Sequence, residues 1–415
     1  MTSIDGAIAA TGHGLRIRPG HALIGVVFMR WLAGIGENAG IAGLSENAAL
    51  AALAALALIF LVRMQMARDA GLLLAGLTAW IAAGLLSAAA NGQLANGDGL
   101  ELIALLAFYG LVANSARLDL RGAAGLAALN RLTVAFLVAG AALAIWQIAV
   151  GQAFHAPARP DLARAQGSDV HPVSFGIQLV IALAALEVLR LKRGARFGAL
   201  HACLAAAGLV ALYLTFARTA WAMAAITLTW ALLAGRRFHL QAAGLAVLAG
   251  AAALSAANAR FGDLASLPLF LAQFDAGNIV FDHRFVDNSV SWRIVNWGMG
   301  LEQALQAPWL GHGPGQSAAA SAFNLEMHNI ALELFFECGL AGLAALALVL
   351  AGLVRLHRTL PRAGPRDRRA ARIVSGLGVA LLLAVMVSTS LVDQLMTITL
   401  YLLLLGISQV PARGC

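Results

Sequence analysis

The chain has 415 residues, 60% of them hydrophobic and only 12% charged, with a mean hydropathy of +0.81. A soluble domain carries about 25% charged residues, so a soluble protein is excluded and an all-α polytopic membrane protein is expected. The net charge of +8 does not point to nucleic acid, because the basic residues fall where membrane-orientation signals fall.

A spanning helix needs about 20 mainly apolar residues. About twelve stretches qualify: 20–36, 47–62, 70–90, 99–115, 132–150, 172–189, 197–217, 219–235, 240–257, 330–354, 373–391 and 395–410. The start, Met1 to Pro19, lacks the apolar core of a cleavable signal. The chain reads as a single integral membrane domain over 1–415. Its longest polar interval, 258–329, separates the ninth and tenth spans. Placing the N-terminus in the cytoplasm puts 21 of the 28 basic residues inside, as the positive-inside rule requires. Both termini are then cytoplasmic and the 258–329 loop is periplasmic. Only Lys192 among the basic residues is a lysine, which reads as coding bias. The three cysteines are scattered, with neither metal spacing nor a disulfide framework. No metal site and no cofactor are expected.

Arg159, Arg164, Arg218, Arg260, Arg284 and Arg293 fall outside, against the bias, and Arg30 lies within the first span. Long loops escape the rule, which accounts for Arg260, Arg284 and Arg293. It does not account for Arg218 in the tight turn Thr215-Phe216-Ala217-Arg218. That residue reads equally as a snorkelling anchor beside Trp221 or as a functional cation. Arg30 is costly in a membrane helix unless it meets an anion or polar partner. Arginine grips phosphate bidentately and keeps its charge, so outward arginines at a bilayer suit a lipid-linked phosphate or diphosphate. His328 closes the polar interval. A histidine titrating near neutral pH can take a proton from a hydroxyl, although taken alone it reads as an ordinary interfacial residue. Asn329 stands at a plausible helix N-cap. Gly311-His312-Gly313-Pro314-Gly315 is either a plain turn or a loop whose backbone approaches a ligand. It lacks the Lys-Ser/Thr of a P-loop. Glu333 and Glu337 share one face of the tenth span. They either border the watery loop or face an outward arginine.

At these residues the chain resembles the bacterial O-antigen ligase and polysaccharide polymerase superfamily. Leu214-Thr215-Phe216-Ala217-Arg218-Thr219-Ala220 resembles its first arginine motif and Ser291-Trp292-Arg293-Ile294-Val295-Asn296-Trp297 its second. Pro308-Trp309-Leu310-Gly311-His312-Gly313-Pro314-Gly315 resembles its glycine motif. His328-Asn329 with Leu332 and Glu337-Cys338-Gly339-Leu340 resembles its histidine-asparagine and glutamate-glycine motif. A weaker upstream motif covers Arg164 to Gly167, His171-Pro172 and Phe175-Gly176. The resemblance implies metal-independent, inverting glycan transfer at the periplasmic face of the bacterial inner membrane. The donor is a glycan on undecaprenyl diphosphate. The acceptor is a lipid A–core sugar hydroxyl in a ligase, or a second lipid-linked glycan in a polymerase. It assigns Arg218 and Arg293 to the donor diphosphate and His328 to the acceptor hydroxyl. Arg30, Arg159, Arg164, Trp297, Gly313, Gly315, Asn329 and Glu337 become substrate-binding candidates. The loop Gly151 to His171 is short, and a single dominant outer loop favours a ligase over a polymerase. A transporter of a lipid-linked or anionic solute is the rival of another class. It predicts charge along a midplane path and paired half-sequences, and neither is visible. A non-catalytic assembly subunit would have no need of Arg218, Arg293 and His328 together.

Overall fold

The computed structural model describes residues 68–94, 97–118, 120, 123–151, 164–167, 171–232, 291–321, 325–387 and 395–412. All regular structure among them is helical: α1 Gly71–Ala90, α2 Gly97–Leu118, α3 Ala123–Val150, α4 Pro172–Arg193, α5 Ala199–Leu214, α6 Arg218–Leu232, α7 Ser291–Ala304, the short α8 Ser317–Ala320, α9 Ile330–Arg358, α10 Pro365–Val387 and α11 Leu395–Ser408. Five are long and apolar enough to cross a membrane: α1, Ala124–Val150 within α3, α4, α9 and α10. The expected spans 20–36, 47–62 and 240–257 lie outside the described residues, as do Arg30 and Arg159. Two helix starts move by more than two turns. The span expected to start at 132 begins at Ala123, because Arg131 is an exposed residue within the helix rather than a loop residue. The span expected at 373 begins at Pro365, so Arg366, Arg368, Arg369 and Arg372 sit on helix. Within the expected polar interval, α7 is a helix that hydropathy does not reveal.

The bundle is organised on α4, buried without interruption from Pro172 to Ala182. It packs against α3, α5, α6, α10 and α11. A helix that is apolar all round belongs at such a centre. Its ends are written in the sequence. His171 is the N-cap, its Nδ1 accepting from the Val173 N–H at 3.2 Å, ahead of Pro172. Gly194 closes the helix in the left-handed conformation, φ 68°. Small residues bring the other helices together. Gly76 of α1 lies against the Leu348–Val349 backbone of α9, and Gly352 of α9 against Leu73. Those contacts run α1 and α9 antiparallel. Gly176 of α4 lies on Ala217 and Ala220, and Gly376 of α10 on Trp230 of α6, so α4 and α6 run parallel and α10 runs against them.

One end of the bundle is therefore arginine-rich, carrying Arg190 and Arg193, Arg355 and Arg358, and the first turns of α10. The starts of α4, α6 and α9 share the opposite end. Lys192 joins the arginine-rich end together. Its Nζ donates to Asp367 Oδ1 at 2.7 Å and to the Val410 carbonyl at 2.5 Å, and Asp367 Oδ1 also accepts from the Ala412 N–H at 2.9 Å. Both side chains are 1% exposed. The lone lysine thus has a physical reason. The closed socket takes a compact ammonium that donates in several directions, where a planar guanidinium would need more room. Lys192→Met leaves Asp367 buried without its cation and is expected to cost about 3–5 kcal/mol. The measure is the folded fraction surviving a heating series in detergent. Lys192→Met with Asp367→Leu should recover most of the loss. A single variant as heat-resistant as wild type would refute the assignment.

Candidate active site

Two clusters share the end opposite the arginines. The first is the turn between α5 and α6. Thr215 Oγ1 donates to the Leu212 carbonyl at 2.7 Å and accepts from the Ala217 N–H at 3.2 Å. Phe216 takes φ +47°, a costly value for a bulky residue. Several contacts hold it there. Tyr213 stacks on Trp221 with ring centroids 6.0 Å apart, Phe216 tilts against both, and Trp221 Nε1 donates to the Leu212 carbonyl at 3.0 Å. Arg164 donates from Nε to the Thr215 carbonyl at 3.0 Å and from a terminal nitrogen to the Phe216 carbonyl at 3.4 Å. It thereby satisfies acceptors left at the end of α5. The strand beside it is tied down by Gln147, whose Oε1 accepts from the Gln166 and Gly167 N–H groups at 2.9 Å each. A side chain at Gly167 would run into the Phe175 ring. The upstream motif and the first arginine motif thus form one unit, and that unit presents the half-buried Arg218 as the first residue of α6. Of the two arginines expected to bind substrate or donor here, Arg164 braces the turn and Arg218 stands at the helix start.

The second cluster is built by α7 and the start of α9. Asn296 Nδ2 donates to the Leu325 and Glu326 carbonyls at 3.3 and 3.2 Å. Trp297 Nε1 donates to the Met327 carbonyl at 2.6 Å. These bonds clamp the strand that ends in His328. The Asn329 side chain accepts from the Ala331 and Leu332 N–H groups, both at 3.1 Å, so this residue caps α9. His328 has φ +54°, and its ring meets Trp292 edge-on with centroids 5.1 Å apart. The Arg293 guanidinium lies 5.2 Å from the Trp292 ring centre, a cation–π arrangement.

His328 Nδ1 lies 3.0 Å from the Glu326 carbonyl. A carbonyl only accepts, so Nδ1 carries the proton and Nε2 of the neutral ring holds the lone pair. Burial, and then the charge of Arg293, push this imidazole down to about 4, while the bond to the Glu326 carbonyl opposes them. The sequence-based expectation of a histidine titrating near neutrality is therefore corrected. This ring is held neutral, because the protein desolvates it and sets a cation beside it.

The glycine motif engages α9 rather than standing free for a ligand. At Gly339, φ 63° and ψ −155°, α9 is broken. In an unbroken helix the Leu340 and Ala341 N–H groups would donate to the Phe336 and Glu337 carbonyls. Here they donate to the Pro308 carbonyl at 2.8 Å and the Trp309 carbonyl at 3.5 Å, while the freed carbonyls accept from His312 N–H at 2.9 Å and Gly313 N–H at 3.0 Å. Two helical bonds are exchanged for four to the inserted 308–313 loop. Ser87 of α1 adds a bond from its Oγ to the Glu337 carbonyl at 2.6 Å, and Asn91 Nδ2 donates to the Gly311 carbonyl at 3.1 Å. Glycine is required where backbones touch. A Cβ at Gly311 would fall on the Glu337 carbonyl and one at Gly339 on the Trp309 carbonyl. The buried Glu337 carboxylate takes the Ser317 N–H at 3.4 Å and bonds to Gly315 N–H and the Ser317 side chain. Glu337 therefore fastens the end of the same loop. Gly313 and Gly315, both at positive φ, belong to this splint.

The structure gathers Arg293, Trp297, Gly313, Gly315, His328, Asn329 and Glu337 around the head of α9. Arg164 and Arg218 lie in the α5–α6 turn at the same end of the bundle. Sequence reading misses Gln147, Ser87 and Asn91; their one signal is a polar side chain inside or closing an apolar run. Among the described residues no group of three His, Cys, Asp or Glu side chains is placed to hold a metal ion.

Residues 203–347 match the family model described as O-Antigen ligase, and no curated protein matches the chain. The matched stretch contains Arg218, Arg293, the glycine motif, His328 and Glu337, while Arg164, Gln147, Phe175, Ser87 and Asn91 lie outside it. That family covers ligases and polymerases of O-antigen and is glycosyltransferase-like in chemistry. Over residues 203–347 the chain is similar to an O-antigen ligase-like superfamily.

Proposed function

We propose that the protein is an O-antigen ligase, an inverting glycosyltransferase that moves a glycan from undecaprenyl diphosphate to a lipid A–core sugar hydroxyl. The observation that carries this reading is that Arg293 and His328 both pack on the Trp292 ring, with the His328 Nδ1 proton given to the Glu326 carbonyl so that Nε2 is the accepting nitrogen. The acceptor oxygen attacks the anomeric carbon, and the bond from that carbon to the phosphate oxygen breaks with its electron pair leaving on the diphosphate. The hydroxyl proton passes to His328 Nε2. Arg293 and Arg218 offset the charge on the departing diphosphate, the step where electrostatics contribute most. An imidazole held at about 4 is a weak base in the free enzyme. A diphosphate bound at Arg293 cancels one of the two causes and strengthens it when substrate is present. The arginine-rich end opposite the site supports a cytoplasmic placement of that end and a periplasmic site in the inner membrane.

A polymerase uses the same donor chemistry and differs only in the acceptor. Purified protein in vesicles is given an undecaprenyl-diphosphate-linked glycan and lipid A–core, with chelator present. Glycosylated lipid A–core is the expected product. Lengthening of the lipid-linked glycan alone would establish the polymerase reading. No transfer to either acceptor, where a known ligase works, would sink the transferase reading and return the transporter.

A further inference from the structure

α7 has three distinct faces. Asn296, Gly300 and Ala304 are buried on the side packed to the 325–328 segment and α9. Leu301 and Leu305, one turn apart, are 47% and 61% exposed, and Trp309 just beyond the helix is 73% exposed. Glu302 and Gln306 are exposed on the adjoining polar side. An apolar edge beside a polar edge on an exposed helix is the pattern of a helix lying in a membrane boundary, and tryptophan is enriched at that level.

Continuity identifies what covers the apolar edge. The Trp309 carbonyl accepts from Ala341 N–H and the Pro308 carbonyl from Leu340 N–H, so Trp309 stands directly on α9. From there an exposed apolar stripe, Leu340, Ala344, Leu348 and Ala351, runs down α9. That helix is long and apolar enough to cross a membrane, so its exposed stripe faces acyl chains. The Leu301–Leu305–Trp309 edge prolongs this stripe sideways at the site end.

We propose that α7 is an interfacial helix, its Leu301–Leu305–Trp309 edge seated among the lipid acyl chains of the leaflet at the site end, with Glu302 and Gln306 turned to the headgroups. A helix lying flat keeps Arg293 and Leu305, about 18 Å apart along it, at one depth. On the glycosyltransferase reading above, Arg293 then meets a lipid-linked diphosphate at the level where membrane phosphates lie, and the donor enters laterally without leaving the bilayer.

The test uses the wild-type chain in vesicles containing a lipid with a photoactivated carbene precursor on its acyl chain, with peptide mass spectrometry of the adducts. In parallel, hydroxyl-radical footprinting reports water access. Lipid adducts on Leu301, Leu305 and Trp309, with Glu302 and Gln306 free of them and at least fivefold lower radical modification of Trp309 in vesicles than in the unfolded chain, are expected. Strong radical modification of Leu305 and Trp309 without lipid adducts would overturn the proposal in favour of a water-exposed edge. Absence of both kinds of label would overturn it in favour of a protein partner. Neither readout depends on transfer, so failure here leaves the ligase reading standing, and failure of transfer leaves the interfacial helix standing.

Discussion

Arg293→Ala is expected to lower kcat for glycan transfer about 10²–10³-fold, the range seen when a group stabilising developing negative charge is removed. His328→Ala is expected to lower it about 10²–10⁴-fold, as for a positioned general base. The two differ in their pH profiles. In wild type the acid limb of kcat/KM, which reports the free enzyme, should fall as pH drops through about 4 rather than through the usual histidine range. The sign follows from the causes: burial and the Arg293 cation both disfavour the imidazolium, so the base form persists to lower pH. The residual activity of Arg293→Ala should carry its acid limb at higher pH, because one cause is gone, yet still below 6.5 because burial remains. Arg293→Lys keeps the charge but loses the planar fork, so it should retain the wild-type limb with reduced kcat. Rates from pH 3.5 to 8 in vesicles check all three variants. An acid limb that stays put in Arg293→Ala would show that the guanidinium does not act on this imidazole.

The same pair shows what a sequence can and cannot reveal. His328 and Arg293 stand out by type and by motif. Their relation depends on Asn296 and Trp297 of α7 holding the carbonyls of 325–327, a contact across about thirty residues that hydropathy does not encode. The shift of His328 depends on burial, which is a property of packing. A helix start was legible where a cap spells it out, as at Asn329. It was less legible at the start of α3, where one exposed arginine on a helix reads like a loop, and at α7, which is too polar to be a span. The Lys192 socket was hidden because its partners, Asp367 and the Val410–Ala412 tail, lie far along the chain.

The break in α9 was the least legible element, since 330–354 reads as one apolar run, and it carries the second large effect. Gly339→Ala places a Cβ against the Trp309 carbonyl. It also imposes a side chain on a conformation, φ 63° and ψ −155°, that belongs essentially to glycine and costs others about 1–3 kcal/mol. The expected response is that α9 anneals, and the Leu340 and Ala341 N–H groups return to the Phe336 and Glu337 carbonyls. The 308–313 loop is then displaced, and its four polar groups lose partners at about 1–3 kcal/mol for each one left buried. Annealing also redirects the first turn of α9, which carries Asn329 and, immediately before it, His328. Gly339→Ala is therefore expected to retain or slightly gain helix content by circular dichroism while losing transfer about 10²-fold or more, the scale for a misplacement of about 1 Å. Gly311→Ala should act in the same direction, because its Cβ meets the Glu337 carbonyl from the other side of the same junction. Glycine-to-alanine changes normally favour a helix, so lost activity without lost helix separates a positioning break from a merely weak helix. A Gly339→Ala protein that transfers glycan at the wild-type rate would mean that the break does not place His328.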